Sequence, residues 1–348
     1  MVIGFDMRGT TAKCSTIVNH EPSITNEYRI GSPKYPVRFP FVDLVEVSAG
    51  GGTIAWVDRG GALRIGPLSA GSDPGPVCYG RGNDKPTITD ANLILGKLGE
   101  EIGSLKLRKD LAKESISKLA DQLGLGLEEA AFGIIKLSNV VMSKALRIVT
   151  VERGYDPREF TMFAFGGAGG LHGVELADEL EIKSILIPPH AGVFSAIGLL
   201  LSDYRVDKVR SLIVLVDDVC EDFVEGEFSK MVEEAVGDVG VFRYVDVRYS
   251  ITVPWTGKIE SCVEIFHEKH EELYGFCSKD EEVEIVNLRV TAFGITSKPE
   301  IRREREFEYL PKPEYFRDVY FEDEWVRTPI YSRSKLKAGA RIDGPAVC

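Results

Sequence analysis

The stretch VIGFDMRGTTAKCSTIV, residues 2–18, decides the fold class. An apolar run ends at Asp6, a Gly-Thr-Thr turn follows almost at once, and a second apolar run begins after Lys13. Two such runs joined by a short polar turn predict a β-hairpin with strands at residues 2–6 and 13–18. The placement of a lone carboxylate at the end of a buried strand raises the question of what the turn holds.

The turn has the groups that a phosphate site needs. Asp6 can hold a divalent ion directly or through water. Gly9 lets backbone N–H groups approach phosphate oxygens, the hydroxyls of Thr10 and Thr11 add donors, and Lys13 adds positive charge. An ordinary hairpin with Gly in its turn explains the same residues equally well. From this stretch alone, both interpretations stay open.

A second glycine-rich stretch, FAFGGAGGLHG at residues 163–173, follows a buried strand and opens a helix. A helix N-terminus behind glycines is a ready anion or nucleotide cradle, here offered by Gly166, Gly167 and Gly169. The glycine spacing departs from GxGxxG, so a tight strand-to-helix turn is the alternative. Together with the first stretch, these residues favour a nucleotide site.

A third stretch, DLVEVSAGGGTIAWVD, contains three successive glycines, Gly50, Gly51 and Gly52. Asp43 and Glu46 precede them, so the run predicts backbone pressed against a ligand with acids at hand. The alternative is a solvated turn between two strands.

The rest of the first half alternates helices and strands. A helix is predicted to begin at Thr89 or Asp90, where a cap is favoured over a metal ligand. Periodicity predicts helices at residues 110–124 and 127–150, and a buried strand at 160–165. In the second of these helices, one apolar face is predicted to be formed by Ala130, Ile134, Leu137, Val141 and Ala145.

Composition limits the classes of function. The chain has 348 residues, enough for two domains, and acidic residues replace glycine clusters after about residue 205. A net charge of −12 argues against non-specific nucleic-acid binding, and no apolar run approaches the length of a membrane span. The six cysteines are widely spaced without a CxxC pair, which argues against zinc or disulfides and favours the cytoplasm.

These stretches, in this order, resemble the ATP-dependent hydantoinase A / 5-oxoprolinase family, which also includes a subunit of acetone carboxylase. The segments include GFDMRGTTAK, VEVSAGGGTIAWVD, LRIGPLSAGSDPGPVCYGRG, PTITDANLILGKLG, FTMFAFGGAGGLHG and IPPHAGVFSAIGLLLSD. The resemblance implies an α/β fold similar to the actin, Hsp70 and sugar-kinase group of ATPases, which is ribonuclease H-like. We expect this lobe at residues 1–205 and a smaller mixed α+β domain, truncated at its end, at residues 206–348.

The resemblance also implies chemistry. ATP with Mg²⁺ or Mn²⁺ phosphorylates the carbonyl oxygen of a cyclic amide, and water then opens the ring. The DMRGTT turn is similar to the second phosphate loop of the family, with Asp6 near metal and phosphates, and FGGAGG is similar to the adenosine-side glycine motif. The glycine run with Asp43 and Glu46 is then expected near the phosphoryl group or substrate. Catalytic roles fall to Asp6, Asp43 and Glu46.

The chain departs from the family in two ways, and the second of them leads to the expected partners. The family usually has Gly where this chain has Arg8, and its chains begin with another phosphate loop, an acid followed by Gly-Gly-Thr. We therefore expect one partner chain to supply that loop and a large subunit to complete the enzyme. The substrate is a lactam, hydantoin, 5-oxoproline or a ketone as in acetone carboxylase. A non-catalytic assembly or regulatory subunit is the alternative, and a metabolite kinase is weaker.

Overall fold

The computed structural model describes residues 1–25, 28–30, 35–37, 41–239, 244–247, 253–279, 281–299 and 307–348. Contacts divide the chain into two compact units. One unit is formed by residues 1–196 together with 302–348, and the other by residues 197–301. The domains expected at 1–205 and 206–348 stay predictions.

The chain is a mixture of strands and helices. In residues 1–196 the described strands are β1 (Val2–Met7), β2 (Ala12–Val18), β3 (Glu21–Pro22), β4 (Ile24–Thr25), β5 (Tyr28–Ile30), β6 (Tyr35–Val37), β7 (Phe41–Val42), β8 (Leu44–Val47), β9 (Thr53–Val57), β10 (Leu63–Ser69), β11 (Glu101–Ile102), β12 (Leu105–Lys106), β13 (Thr161–Phe165) and β14 (Ser184–Leu186). The later strands are β15 (Tyr204–Leu215), β16 (Tyr244–Val247), β17 (Glu284–Gly294), β18 (Tyr315–Phe321) and β19 (Glu324–Ile330). The described α-helices are α1 (Ile88–Ile94), α2 (Lys109–Leu123), α3 (Leu127–Val149), α4 (Gly169–Glu179), α5 (Phe194–Leu201), α6 (Glu221–Val239) and α7 (Ile259–Tyr274). Among the residues described, none of these helices is both long and apolar enough to traverse a bilayer.

The opening hairpin lies inside the main sheet of the first unit. The strand order is β14–β13–β1–β2–β3, and β8 also pairs with β2. β1 and β2 are antiparallel, so the predicted hairpin is confirmed, whereas β13 runs parallel to β1 and β14 parallel to β13. Because parallel strands end at the same edge, Asp6 on β1 lies beside Phe165 on β13, directly before the second glycine stretch.

The two faces of β1 differ in their burial. Ile3, Phe5 and Met7 are fully buried on one face and belong to the apolar core of the unit. Gly4 and Asp6 alternate with them on the opposite face, as the period of two in a strand requires. Asp6 therefore points away from the apolar core although it stands in a core strand.

Helix α3 confirms the predicted helix at 127–150, and its buried face differs in part from the prediction. Ala130, Ile134 and Ala145 are fully buried as expected. Leu137 and Val141 are only half-buried, because the fully buried stripe runs through the neighbouring Ser138 and Met142 positions instead. The predicted helix at 110–124 is also confirmed, as α2.

Helix α1 begins earlier than predicted. Its N-cap is Thr87, not Thr89 or Asp90, and Asp90 occupies the third helical position of a capping box. The side chain of Thr87 accepts from the backbone N–H of Asp90, while the carboxylate of Asp90 accepts from the N–H of Thr87. Asp90 thus takes part in the cap, but from inside the helix and not from before it as predicted.

The last described residues, 307–348, return to the first unit. The β18–β19 hairpin lies against the end of α1, where the N–H of Tyr320 donates to the carbonyl of Leu95 at 2.9 Å. The Tyr320 ring meets Phe132 edge-on at 5.6 Å and Trp325 at 5.4 Å. This hairpin closes the apolar core beside α1 and α3.

The second unit has its own core. Its sheet has the order β15–β17–β16, and both pairings are antiparallel. Leu288, Val290 and Ala292 alternate along β17 and are fully buried against Val224 and Ala235 of α6.

Candidate functional site

Asp6 is held in an ion pair at the end of β1. Arg8 Nε lies 3.2 Å from Asp6 Oδ1 and 3.1 Å from Oδ2, and Arg8 Nη2 lies 3.0 Å from Oδ2. Ser195 Oγ donates to Asp6 Oδ2 at 3.1 Å and accepts from Arg8 Nη2. The Asp6 side chain is 12% exposed and that of Arg8 57%. The carboxylate is therefore enclosed, while the guanidinium reaches solvent.

The turn after Asp6 is fixed through its backbone carbonyls. The turn closes on itself, since Arg8 N–H donates to the carbonyl of Thr11 at 3.1 Å. From outside the turn, Gly51 N–H donates to the carbonyl of Arg8 at 2.9 Å, and Gly52 N–H donates to that of Gly9 at 2.6 Å. The side chains of the turn take no part in these bonds.

The three-glycine run lies under the turn and uses its own polar groups there. Gly50 N–H donates to Thr53 Oγ1 at 2.8 Å, and the Gly51 carbonyl accepts from both N–H and Oγ1 of Thr89 in α1. A Cβ atom added at Gly50 would lie 2.4 Å from the carbonyl carbon of Thr10. All three N–H groups of the run bond to protein atoms, so the run supports the turn, and its contact with a ligand stays a prediction.

Gly166 brings the second glycine stretch against Asp6. Its φ is +82°, and a Cβ there would lie 2.2 Å from the Met7 carbonyl oxygen and 2.5 Å from Asp6 Oδ1. Its N–H donates to the carbonyl of Ala191 at 2.9 Å, and the N–H of Ala168 donates to that of Met7 at 3.0 Å. Only glycine combines this positive φ with so close an approach.

Gly169 and Gly167 lie in different surroundings. Gly169 is the buried first residue of α4, and a Cβ on it would lie 3.7 Å from the Phe5 carbonyl oxygen. Gly167 is exposed, and a Cβ on it would meet open space. The first N–H groups of a helix lack intrahelical partners, so α4 begins with positive character beside the end of β1.

Lys13 and Glu46 continue a charged row from Asp6 across the sheet. Asp6 stands opposite Lys13 on β2, and Lys13 stands opposite Glu46 on β8. Lys13 Nζ lies 3.7 Å from Glu46 Oε1, and both side chains are exposed. Residues directly opposite across antiparallel strands project to the same face, so the three charges alternate along one face of the sheet.

Asp43 is engaged elsewhere. Its Oδ2 and Oδ1 accept from Nε and Nη2 of Arg153 at 2.9 and 3.1 Å. This fork-to-fork pair raises the pKa of Arg153 above its ordinary value. None of the described contacts of Asp43 is to the turn at residues 8–11, so its catalytic role stays a prediction.

The oxygen atoms of Asp6 bear on the metal that was predicted there. Both carboxylate oxygens already accept from Arg8, and one also accepts from Ser195. In the described ranges, no three His, Cys, Asp or Glu side chains converge as a metal site. Mg²⁺ requires six oxygen ligands, so these residues do not fit an ion held by the protein alone. A metal at Asp6 stays a prediction.

Ser195 was not among the residues predicted from the sequence. It follows Phe194, whose ring packs on Phe163 at 5.0 Å and on Phe165 at 5.5 Å. This aromatic packing places Ser195 beside Asp6, from which it is 189 residues distant in the chain. The segment AGVFSAIG contributed to the family resemblance, but its distance from the hairpin gave no sign of this contact.

A buried polar network ties α4 to α1 and α3. His172 Nδ1 lies 2.8 Å from Asn139 Oδ1, and its Nε2 lies 3.2 Å from Asn92 Nδ2. Asn139 Nδ2 also donates to Glu175, which pairs with the buried Lys97. An amide oxygen can only accept, so Nδ1 of a neutral His172 carries the proton and Nε2 accepts. The network fixes the helix that follows the second glycine stretch.

We expect acid to destabilise the fold through His172. Burial, and then Lys97, lowers the pKa of His172 to about 3, whereas an unfolded chain has a pKa near 6.5. The unfolded state binds the additional proton between these values, so stability is complete above about pH 6.5 and falls as the pH drops toward 3. Between pH 7.5 and pH 5.0 this group alone costs about 2 kcal/mol.

Urea unfolding at both pH values measures this effect in the wild type, His172→Gln and His20→Gln. The wild type and His20→Gln, whose side chain is exposed, should lose the additional stability at pH 5.0, and His172→Gln should not. Equal pH dependence of the wild type and His172→Gln would contradict the assignment.

Two family models match the chain. The one described as Hydantoinase/oxoprolinase matches residues 1–208, and the one described as Hydantoinase/oxoprolinase C-terminal domain matches residues 219–348. An uncharacterized protein of Methanocaldococcus jannaschii is 59% identical over 369 residues, which cover 99% of this chain and 54% of that protein. Caprolactamase subunit alpha of Pseudomonas jessenii is 34% identical over 360 residues, covering 90% of this chain and 50% of the relative. The chain thus spans about half the length of these two relatives.

Two solved structures have a similar fold. The crystal structure of ATP-dependent caprolactamase from Pseudomonas jessenii matches with a TM-score of 0.76 and 33% identity, over 99% of this chain and 54% of that one. Nucleotide-free acetone carboxylase matches with a TM-score of 0.78 and 24% identity, over the same shares of the two chains. The second likeness is a likeness of fold alone. The mixed α/β architecture is therefore shared with both.

Proposed function

Because the chain belongs to the hydantoinase/oxoprolinase family, we propose that it is the nucleotide-binding part of an ATP-dependent enzyme that opens a cyclic amide. The observation that carries the proposal is the meeting of two glycine-containing loops at Asp6, where a Cβ added at Gly166 would lie 2.5 Å from Asp6 Oδ1. The strand order around them supports the actin-like lobe that the resemblance implies. The identity to a caprolactamase subunit supports a lactam as the substrate.

The proposed reaction has two steps. The terminal phosphoryl group of ATP passes to the carbonyl oxygen of the amide, which leaves ADP and makes the ring carbon electrophilic. The second step consumes two waters. The first adds to that carbon and the C–N bond breaks, with a proton passing to the ring nitrogen, which leaves an acyl phosphate. The second hydrolyses the acyl phosphate, so phosphate leaves with the carbonyl oxygen when this water attacks carbon, or with the oxygen of this water when it attacks phosphorus. Positioning and charge neutralisation supply most of the catalysis in such transfers, and these are the tasks of the loops.

The exposed turn is assigned to the phosphates. Gly9 and Thr10 are exposed and Thr11 is half-buried, so their N–H and hydroxyl groups can reach a ligand while the turn stays fixed from below. Lys13 adds charge on the same face as Asp6. The proposed nucleotide contacts of the second stretch are Gly166, Gly167 and Gly169. Asp43, Glu46 and the run Gly50, Gly51 and Gly52 keep their predicted place near the substrate as proposals.

We also propose that the chain acts with partners. The word "subunit" in the name of the caprolactamase relative supports this. The partners would bring the other phosphate loop and the large subunit. Mg²⁺ or Mn²⁺ would accompany ATP through the phosphates and water. An acetone carboxylase-type reaction on a ketone is the second candidate, and the shared fold supports it.

Titration calorimetry with ATP tests the nucleotide assignment. Asp6→Asn removes the charge that orients Arg8, so ATP affinity should fall by roughly tenfold or more, as expected when a charge-assisted contact is lost. Asp156→Asn is a matched control, since Asp156 also pairs with an arginine two residues later. Its affinity should equal that of the wild type. A wild-type chain that binds no ATP with or without MgCl₂ would contradict the proposed function.

A further inference from the structure

Arg8 carries hydrogen-bond donors that the protein does not use. Its Nε and Nη2 face Asp6 and Ser195, and no described residue accepts a hydrogen bond from its Nη1. A guanidinium has five N–H groups in one plane, so both N–H groups of Nη1 point away from Asp6. More than half of the side chain is exposed. A ligand at the turn can therefore meet an oriented cation.

The backbone of Arg8 is fixed as firmly as its side chain. Its N–H donates to Thr11 and its carbonyl accepts from Gly51. The guanidinium in turn is held on one edge by a mostly enclosed carboxylate and by a serine hydroxyl. Little conformational entropy is left to lose when a ligand binds, which is the advantage of an arginine already positioned by a carboxylate.

We propose that Arg8 is a phosphate-contacting residue of this chain and that Asp6 is its positioning group. The inference rests on the proposed nucleotide-binding function. With Nε and Nη2 engaged, the guanidinium keeps its charge and offers both N–H groups of Nη1 to phosphate oxygens. The carboxylate oxygens of Asp6 accept hydrogen bonds from Arg8 and Ser195. Asp6 therefore orients the Arg8 guanidinium toward the phosphates.

The surroundings support an anion at this place. The first turn of α4, with its positive character, begins beside the end of β1, where a Cβ on Gly169 would lie 3.9 Å from Met7 N. Lys13 stands next to Asp6 on the same face but already pairs with Glu46. Arg8 is thus the cation of the turn with donors to spare.

The test compares ATP with AMP, which lacks the outer phosphates. Arg8→Gln, Arg8→Lys and the wild type are titrated with each nucleotide, in EDTA and in MgCl₂. We expect Arg8→Gln to weaken ATP binding in EDTA by roughly tenfold or more, and AMP binding by less than about twofold, because only the outer phosphates meet the guanidinium. Arg8→Lys keeps the charge without the positioned N–H groups, and its ATP affinity should lie between those of the wild type and Arg8→Gln.

Arg158→Gln is the matched control. Arg158 also pairs with an aspartate two residues earlier and is as exposed as Arg8, but it precedes β13 at the opposite end of the sheet. Both of its nucleotide affinities should equal those of the wild type. Melting temperatures of all variants show whether each is folded. If Arg8→Gln is unfolded, the ATP and AMP affinities of Arg8→Lys provide the test instead.

Three results would overturn the inference, and the third is distinguishable from the first two. Wild-type ATP affinity in Arg8→Gln, or an equal loss for ATP and AMP, would leave the proposed function intact and give Arg8 a structural role only. A wild-type chain that binds neither nucleotide in either buffer would overturn the inference and the proposed function together.

Discussion

Gly166→Ala should destabilise the first unit by about 2–5 kcal/mol. A positive φ costs a residue with a Cβ about 1–2 kcal/mol. The new Cβ would also lie 2.2 Å from the Met7 carbonyl oxygen and 2.5 Å from Asp6 Oδ1, so backbone must shift. Overpacking of this kind costs about 1–3 kcal/mol more. Urea unfolding measures the change in free energy directly.

The neighbouring glycine supplies the control. Gly167→Ala places its Cβ in open space, so we expect its unfolding free energy within about 0.5 kcal/mol of the wild type. Both glycines were predicted as nucleotide contacts, yet only Gly166 is required by the packing. A Gly166→Ala protein as stable as Gly167→Ala would show that the contact between the second stretch and Asp6 is wrong.

Asp90→Ala should destabilise the same unit by about 4 kcal/mol, since it leaves buried N–H groups without acceptors. The carboxylate accepts from the N–H groups of Val77 at 3.1 Å, Cys78 at 2.8 Å and Thr87 at 2.9 Å, and from the Thr87 hydroxyl at 2.8 Å. The side chain is fully buried. Burial is the main cause of the raised pKa of the Cys78 thiol, and the Asp90 carboxylate raises it further.

Two further variants make this result specific. Asp90→Asn keeps one acceptor oxygen and should lose roughly half as much. Asp110→Ala removes another acid from the first turn of a helix, but Asp110 is exposed and pairs only with the exposed Arg108. Its cost should stay below about 1 kcal/mol. Chemical denaturation curves of equal slope and equal midpoint for Asp90→Ala and Asp110→Ala would refute the account.

Short-range patterns carried most of the fold. The hairpin and helices α2 and α3 lie within a residue or two of their predicted bounds, because alternation and helical periodicity need only neighbouring residues. The start of α1 did not follow from such a pattern. The sequence TITD has three residues able to cap, and Thr87 is selected because Asp90 must reach Val77 and Cys78 from inside the helix.

The candidate site was predictable as a set of motifs and not as a geometry. The family resemblance drawn from those motifs is confirmed by the matches to residues 1–208 and 219–348. The support of the turn by Gly51 and Gly52, and the contact of Ser195 with Asp6, depend on strands and helices far apart in the chain. No local signal carries such contacts, and the ligand roles of the predicted residues stay predictions.

The backbone of the turn at residues 8–11 is held by main-chain hydrogen bonds. Its carbonyls accept from the glycine run and its own N–H closes it, whereas the side chains of Arg8 and Thr10 are exposed. The position of the turn is therefore set by its backbone, and its chemistry by its side chains. Side chains at these two places are exchangeable without refolding, while a change in the number of turn residues would break the bonds beneath. The fold therefore holds the backbone of the turn in place while the side chains on it vary, so one architecture can acquire different chemistry.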